Sequence, residues 1–271
     1  DEDLLKTAKR IFERGWSRMK LYFIIGLPTE TDEDIEGIIH TAFKARKIGR
    51  EYHSKKRLEI TASMSSHVPK PHTPFQWAAM EEPSNILRKQ ALLKDLGNRY
   101  GVRTKFHNSR VSYLEGIISR GDRRVADALE LAWRKGCTFD GWDDQLNWDA
   151  WMEALNESGI DPQLYLGTIA VDAALPWDHI DVGLADGFLE TEWKRATKSR
   201  LSPPCGKPKG MQVHHTNLEE ARADERKLVC YNCGIACDLT MMRQERFDYL
   251  DALGAVEPGA VPGAETPGYK Q

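Results

Sequence analysis

The sequence has 271 residues, of which 41% are hydrophobic and 29% charged, and its formal net charge is -3 at pH 7. These values are typical of a globular chain with one large or two small domains, and they exclude a strongly basic protein that binds nucleic acid through its overall charge. No apolar run approaches the roughly 20 residues of a membrane span, so we expect no membrane contact and a cytoplasmic location. The sequence starts with Asp and not with a signal peptide, which predicts an N-terminus inside a longer polypeptide.

The first part of the chain alternates predicted helices and strands. Apolar residues repeat with helical spacing over residues 4–12, and the nearly unbroken apolar run over 19–25 predicts a strand buried on both faces. Residues 58–64 predict a second strand. Further helices are expected after Thr31, which can cap an acidic first turn, and from about Ser84. This order is typical of βα units in a parallel sheet, but two strands cannot close a barrel.

Beyond the predicted sheet, the pattern changes to shorter helices rich in Trp. Helical spacing predicts a helix over residues 125–133 that ends before Gly136, and another over 148–155 that Asn147 can cap. A last helix is expected around residues 241–253. We therefore expect four regions: βα units over 1–100, a helical Trp-rich extension over 101–200, a cysteine-rich segment over 201–255 and a disordered tail over 256–271.

Two loops carry a resemblance to a known family. Residues 24–31, Ile-Ile-Gly-Leu-Pro-Thr-Glu-Thr, resemble the end of the fifth barrel strand in radical S-adenosylmethionine (SAM) proteins of the methylthiotransferase-like and cobalamin-binding branches. Residues 67–74, His-Val-Pro-Lys-Pro-His-Thr-Pro, resemble the Pro-rich loop after the sixth strand of the same branches. The similarity continues through residues 75–77, 114–116, 119–124, 139–142 and 176–181. The chain thus resembles the C-terminal half of a radical SAM family whose full-length members carry a cobalamin-binding-like N-terminal domain.

This resemblance implies an α/β fold, with the C-terminal part of a partial (βα)6 radical SAM barrel followed by a mostly helical extension and a cysteine-rich metal-binding tail. It also implies a SAM site, in which backbone and apolar side chains around Ile25, Gly26 and Val68 line the adenine and Glu30 fixes the turn. The family holds a [4Fe-4S] cluster on a Cys-x-x-x-Cys-x-x-Cys loop, and no such motif precedes Gly26. We therefore expect the chain alone to be inactive, and an upstream radical SAM and cobalamin-binding region or a separate chain to supply the loop.

A cysteine cluster near the C-terminus has the spacing Cys-x2-Cys-x3-Cys, which lets a tight turn direct thiolates at one metal. The predicted ligands are Cys205, Cys230, Cys233 and Cys237, with His214 or His215 as alternatives to Cys205. The metal is either Zn²⁺ or an auxiliary Fe-S cluster. The alternative is a set of reduced thiols without a metal. Cys137 is instead expected to be a small buried hydrophobic residue.

Two functions are compatible with these features. The first is a portion of a radical SAM enzyme that performs SAM-dependent radical chemistry on an unknown substrate, with methyl or sulfur transfer to a nucleic acid or protein as examples. The second is a non-catalytic, zinc-stapled binding or assembly module derived from such an enzyme. His67 and His72 flank the Pro-rich loop, where they either contact a ligand or lie on the loop surface. Arg120 and Arg124 belong to a basic segment that either contacts phosphates or is a solvated face.

Overall fold

The structure, a computed structural model, describes residues 2–55 and 57–255. The tail that the sequence predicts to be disordered, residues 256–271, lies outside the described residues. The chain forms two compact units, residues 1–179 and 180–271. Within the described residues, no helix combines the length and the apolar character that crossing a membrane requires.

The first unit contains a small open sheet of three parallel strands in the order β1-β2-β3. Its elements are α1 (Glu2–Glu13), β1 (Arg18–Ile25), α2 (Asp32–Tyr52), β2 (Glu59–Ser66), α3 (Pro83–Tyr100), β3 (Arg103–Phe106), α4 (Ser109–Arg120), α5 (Val125–Arg134), α6 (Trp148–Glu157) and α7 (Pro162–Leu166). The expected α/β class is therefore confirmed.

Strand β3 was not predicted from the sequence. It has four residues, Arg-Thr-Lys-Phe, and pairs in parallel with β2, so that Thr61 lies opposite Arg103. The strand lies beyond residue 100, where the βα units were expected to end. Because it is short and mostly polar, it contains no apolar run that would indicate a buried strand.

Local capping explains where two of the predicted helices begin. At α2, the Thr31 hydroxyl accepts a hydrogen bond from the backbone N–H of Asp34 at 3.3 Å, and the Asp34 carboxylate accepts one from the backbone N–H of Thr31 at 2.9 Å. This reciprocal pair is a capping box. At α6, the Asn147 side chain accepts from the backbone N–H of Ala150 at 3.2 Å. Both predicted caps are confirmed.

Helices α1, α2 and α3 pack on one face of the sheet. Alternate strand residues, among them Leu21, Ile60 and Met64, are buried with apolar residues of these helices in one cluster. The opposite face of β1 is open, since the side chains of Tyr22 and Ile24 are 75% and 51% exposed. The prediction that this strand is buried on both faces is therefore wrong within the described residues, because no element there covers its second face. A second apolar cluster joins helices α4 to α7.

The second unit has a much smaller apolar core. Its helices are α8 (Phe188–Ala196), α9 (Leu218–Ala223) and α10 (Leu239–Ala252), and an antiparallel bridge pairs Pro208 with Leu228. The buried residues of its apolar cluster are Leu218, Ala221, Leu250 and Ala255, against which Phe247 packs. Helix α10 corresponds to the last helix that the sequence predicts.

Candidate functional site

The carboxyl ends of β1 and β2 lie side by side. Ile25 ends β1, and its carbonyl accepts a hydrogen bond of 2.8 Å from the backbone N–H of His67, which follows β2. The chain therefore leaves both strands, at Gly26 and at His67, along the same edge of the sheet. Ligands of open α/β sheets bind at this edge, beyond the carboxyl ends of the strands.

The turn after β1 requires glycine at position 26. Gly26 has a φ of +82°, and its backbone N–H donates a hydrogen bond of 2.8 Å to the carboxylate of Glu30. A Cβ at this position would lie only 2.8 Å from Cδ1 of Ile86 and 3.1 Å from Cβ of Glu81. The left-handed backbone and the close approach of the segment that leads into α3 both exclude a larger residue. Glu30 thus closes the turn with its side chain.

A buried lysine neutralises Glu30. Lys89 Nζ lies 2.8 Å from a carboxylate oxygen of Glu30 and 2.7 Å from one of Glu81. The side chains of Lys89 and Glu30 are only 3% and 6% exposed. Burial acts to lower the pKa of Lys89, but the hydrogen bonds with Glu30 and Glu81 raise this pKa above its ordinary value. The ion triad Glu30–Lys89–Glu81 therefore ties the turn after β1 to helix α3.

Lys89 was missed by the sequence analysis, although a signal was present. It lies three residues after Ile86 and four before Leu93, so it occupies the buried stripe of α3, where an apolar residue is expected. A charged residue in that stripe is almost never fully buried without a partner. This position therefore indicated a buried ion pair, but not the carboxylates that complete it.

The Pro-rich loop contains several buried polar atoms that lack a partner. Among the described residues, Ser66 Oγ, His67 Nδ1, His72 Nε2 and Trp77 Nε1 are buried without a hydrogen bond. The His67 ring is buried against Phe75, at 5.3 Å between ring centroids, and this burial lowers its pKa. His67 is therefore not a surface residue of the loop. Buried unpaired groups of this kind mark positions where a water or a ligand supplies the missing partner.

Arg120 anchors the loop from the side of α4. Its guanidinium is 1% exposed and donates to the carbonyls of Ala78 at 2.7 Å and Gly167 at 2.9 Å. Burial lowers the pKa of Arg120 to about 10. Neither alternative given for the basic segment, phosphate contact or a solvated face, applies to Arg120, because this side chain does not reach the surface. Arg124 is exposed and pairs with Asp122.

The apolar residues predicted to line a cofactor differ in what they offer. The side chain of Ile25 is 1% exposed and belongs to the core beneath the helices, so only its backbone lies at the edge of the sheet. Val68 is half-buried and packs against the cluster that contains Met80 and Leu114. Of these two side chains, Val68 is the one that remains partly accessible to a ligand.

The predicted metal ligands all lie in the second unit. Cys205, Cys230 and Cys237 are exposed, Cys233 is half-buried, and all are free thiols. Across residues 2–55 and 57–255, no group of three or more His, Cys, Asp or Glu side chains is gathered as metal ligands. The metal site thus stays a prediction.

Cys230 and Cys233 nevertheless lie in a tight turn, in which a backbone N–H donates to a cysteine sulfur. The backbone N–H of Asn232 donates to Cys230 Sγ at 3.3 Å, and Gly234 has a φ of +102°. A Cβ at Gly234 would lie 2.4 Å from the backbone nitrogen of Ala185, whose N–H donates to the carbonyl of Cys233 at 2.7 Å. Glycine is thus required immediately after the second cysteine.

The backbone also brings Cys205 to the same region as Cys230. The N–H of Gly206 donates to the carbonyl of Val229 at 2.9 Å, beside the antiparallel bridge between Pro208 and Leu228. Cys205 immediately precedes Gly206, and Cys230 immediately follows Val229. The two cysteines therefore lie on paired segments. His215 is engaged elsewhere, since its Nε2 lies 2.7 Å from the carboxylate of Asp224.

Cys137 belongs to the first unit and is buried, as predicted. Its side chain lies in the apolar cluster of helices α4 to α7, and burial, followed by the charge of Asp140, raises the pKa of its thiol. A buried thiol of raised pKa is protonated at neutral pH and a poor metal ligand.

Comparison with known proteins identifies one relative of unknown function. Over 132 residues the chain is 32% identical to Uncharacterized protein MJ0966 of Methanocaldococcus jannaschii. The aligned segment covers 49% of this chain and 28% of the length of that relative. No family model matches the chain, and no solved structure matches it. The function is therefore argued from the residues of the chain.

Proposed function

We propose that the first unit is part of a radical SAM barrel, and that the carboxyl edge of β1 and β2 forms part of a SAM site. The chain acts together with a region that carries the Cys-x-x-x-Cys-x-x-Cys loop. When bound, a reduced [4Fe-4S] cluster and SAM supply a 5′-deoxyadenosyl radical for chemistry on a substrate. In this proposal, residues of the chain hold the turn that SAM contacts and contribute no cluster ligand.

The observation that carries the proposal is the open face of the parallel sheet. Parallel sheets are normally covered on both faces, yet Tyr22 and Ile24 of β1 are largely exposed on the face away from the helices. In a parallel barrel, helices cover the outer face and the other face lines the interior. Strand β1 is also an edge strand within the described residues. An edge and a face of this kind favour further strands that complete the sheet.

The polarity of that face supports the same conclusion. By the strand register, Lys20 pairs with Thr61 and Tyr22 with Ser63, so these polar side chains share the face opposite the apolar core. Lys105 of β3 pairs with Ser63 and extends the row. A polar interior face is suited to a barrel that holds a charged ligand, whereas a covering layer of helices would require apolar residues there.

The turn at Gly26 has a fixed backbone, which a ligand-binding turn requires. Its backbone is fixed by Glu30, and Glu30 is fixed by Lys89. The turn lies beyond the carboxyl end of a parallel strand, where ligands of open α/β sheets bind. By the family resemblance, the ligand is the adenine of SAM.

The test uses the natural gene product that contains these residues, purified without oxygen. We expect iron and sulfide in similar amounts and reductant-dependent cleavage of SAM to 5′-deoxyadenosine. Glu30→Gln should lower the rate of cleavage at least tenfold with unchanged iron content, because the turn loses the carboxylate that fixes Gly26. The matched control is Glu33→Gln in the first turn of α2, where the side chain is exposed and the rate should not change.

Two results would contradict the proposal. One is a folded gene product that neither binds SAM nor contains iron and sulfide after reconstitution. The other is an equal change in the rate of SAM cleavage in Glu30→Gln and Glu33→Gln. The carboxylate that fixes the turn at Gly26 would then have no specific role in cleavage.

A second candidate function, a metal-stapled binding module, is favoured by the second unit. Its buried apolar cluster is small, and small domains of this kind are commonly stabilised by a structural metal. The turn at Cys230 and Cys233 and the pairing of Gly206 with Val229 fit a thiolate site that includes Cys205. Four thiolates are a suitable donor set for Zn²⁺ or an Fe-S cluster. A bound metal would then fix the conformation of the cysteine-rich segment, which a partner would bind.

A further inference from the structure

A cavity of about 260 Å³ lies within the second unit, between helix α10 and the segments around His215 and Leu228. Its lining includes two cationic side chains, Arg243 and Arg246 of α10, and several apolar and aromatic ones. Its volume is just below the roughly 300–1,000 Å³ of typical ligand pockets, so it is suited to a small molecule.

The two arginines of the cavity are held by backbone carbonyls. Arg243 donates to the carbonyls of Asp224, at 2.5 Å, and of Arg226, while Arg246 donates to the carbonyl of His215 at 2.6 Å. Carbonyls fix the guanidinium groups in place but do not neutralise them. Within the part of the chain that the structure describes, neither arginine forms an ion pair with a carboxylate, and Arg246 Nε is buried without a partner.

The buried carboxylate at the cavity does not offset this charge, because it is already paired. Asp224 accepts from Arg226 at 2.6 Å and lies 2.7 Å from His215 Nε2. Hydrogen bonds from Arg226 first, and then from His215, lower the pKa of Asp224 far below its ordinary value. The other lining carboxylate, Glu245, is exposed. Arg243 and Arg246 therefore leave the cavity with surplus positive charge.

The apolar part of the lining indicates the rest of the ligand. Met242, Phe247 and Tyr249 of α10 line the cavity, and the guanidinium of Arg246 lies over the Tyr249 ring at 5.4 Å from its centroid. We infer that the cavity binds a small phosphate monoester, whose phosphate contacts Arg243 and Arg246 and whose organic part packs against these apolar side chains. Two guanidinium groups suit a phosphate dianion, which carries close to two charges and three acceptor oxygens. This inference does not depend on the proposed SAM site, which lies in the first unit.

The experiment is calorimetric titration of the full chain, as purified and at low ionic strength, with inorganic phosphate, phenyl phosphate and phenol. Phenyl phosphate should bind most tightly, because its phosphate contacts the arginines and its ring packs against the apolar side chains. Phosphate alone should bind more weakly. Phenol should show no measurable binding. Affinity for phenyl phosphate should fall as salt is added, since exposed charges are screened.

Variants separate a binding role from a structural role. Arg246→Met keeps an apolar stem and should weaken phenyl phosphate binding about tenfold or more, as expected for the loss of a charge-assisted hydrogen bond. Glu245→Gln should tighten binding, because it removes a negative charge from the lining. The matched control is Arg222→Met in α9, an exposed arginine outside the cavity, which should leave the affinity unchanged.

Three outcomes would overturn the inference. The first is a folded wild-type chain that binds neither phosphate nor phenyl phosphate at low ionic strength. The second is an equal loss of affinity in Arg222→Met and Arg246→Met. The third is weaker binding in Glu245→Gln. If Arg246→Met fails to fold, the Glu245→Gln variant and the salt dependence still decide the result.

Discussion

The two units of this protein are stabilised in different ways. The first has two extensive apolar clusters, an ion triad around the buried Lys89, and the buried Arg120 bound to backbone carbonyls. The second has only a small apolar cluster, besides Arg243 and Arg246, which also bind backbone carbonyls. Apolar burial contributes to stability roughly in proportion to area, so the apolar clusters stabilise the first unit more than the small cluster stabilises the second. In the second proposal, a metal held by the cysteines supplies the second unit with a further constraint.

Metal removal should have the largest effect and should separate the two units. We expect Cys233→Ala, or a chelator that removes the metal, to unfold the second unit, because folding and metal binding are coupled in small metal-stapled domains. The first unit should remain folded. Hydrogen exchange measured by mass spectrometry should show lost protection over residues 180–255 and unchanged protection over residues 2–55 and 57–179.

The control for this prediction is Cys137→Ala, which removes a buried thiol in the first unit and should leave the metal content unchanged. If metal-free protein keeps full protection over residues 180–255, the second unit does not depend on a metal and this prediction is wrong. In that case the carbonyl-bound arginines would be sufficient to hold the second unit.

Replacing Lys89 tests the first unit. Lys89→Met should lower the free energy of unfolding by about 3–5 kcal/mol, because it leaves the buried carboxylate of Glu30 and the half-buried carboxylate of Glu81 without a cation. The matched control is Arg88→Met, at the residue before Lys89. The ion pair of Arg88 with Asp32 is exposed and should contribute little to the free energy of unfolding. Urea unfolding followed by circular dichroism measures both variants.

A triple variant sharpens this test. Adding Glu30→Gln and Glu81→Gln to Lys89→Met should recover part of the lost free energy, because the buried charges are then removed together. Equal effects of Lys89→Met and Arg88→Met would instead mean that burial of the triad does not matter to stability.

The smallest predicted effect is a pH dependence in the first unit. Burial lowers the pKa of His67, so the unfolded chain binds a proton at this position more readily than the folded chain. The free energy of unfolding should therefore fall as pH drops below about 6.5, by at most about 1.4 kcal/mol per pH unit. His67→Gln should flatten this part of the profile, whereas His40→Gln, at an exposed position of α2, should not.

Much of the first unit could be predicted because its signals are local. The apolar runs of β1 and β2, the capping box at Thr31 and the cap at Asn147 all act within a few residues. Strand β3 could not be predicted in this way, since its four residues are mostly polar. They form a strand because they pair with β2. Short edge strands of this kind depend on tertiary context more than on their own sequence.

The candidate sites were predictable only in part. The resemblance led to Gly26 and Glu30, and the structure adds the hydrogen bond between them. Lys89, 59 residues from Glu30, and the buried Arg120, 42 residues from Ala78, were not recognised, because their partners come from distant parts of the chain. Sequence spacing indicates which residues share a face, but it does not give the partners of a buried charge.

The anchoring of the Pro-rich loop has a consequence for binding kinetics. Besides Arg120, two backbone hydrogen bonds hold the segment that follows the loop, from Met80 N–H to the Leu166 carbonyl at 2.8 Å and from Ile169 N–H to the Trp77 carbonyl at 3.0 Å. In the proposed SAM site, a ligand would therefore meet a preorganised segment, and ordering that segment would cost little entropy. Under this proposal, association should be limited by diffusion and desolvation, with no slow loop-closure step.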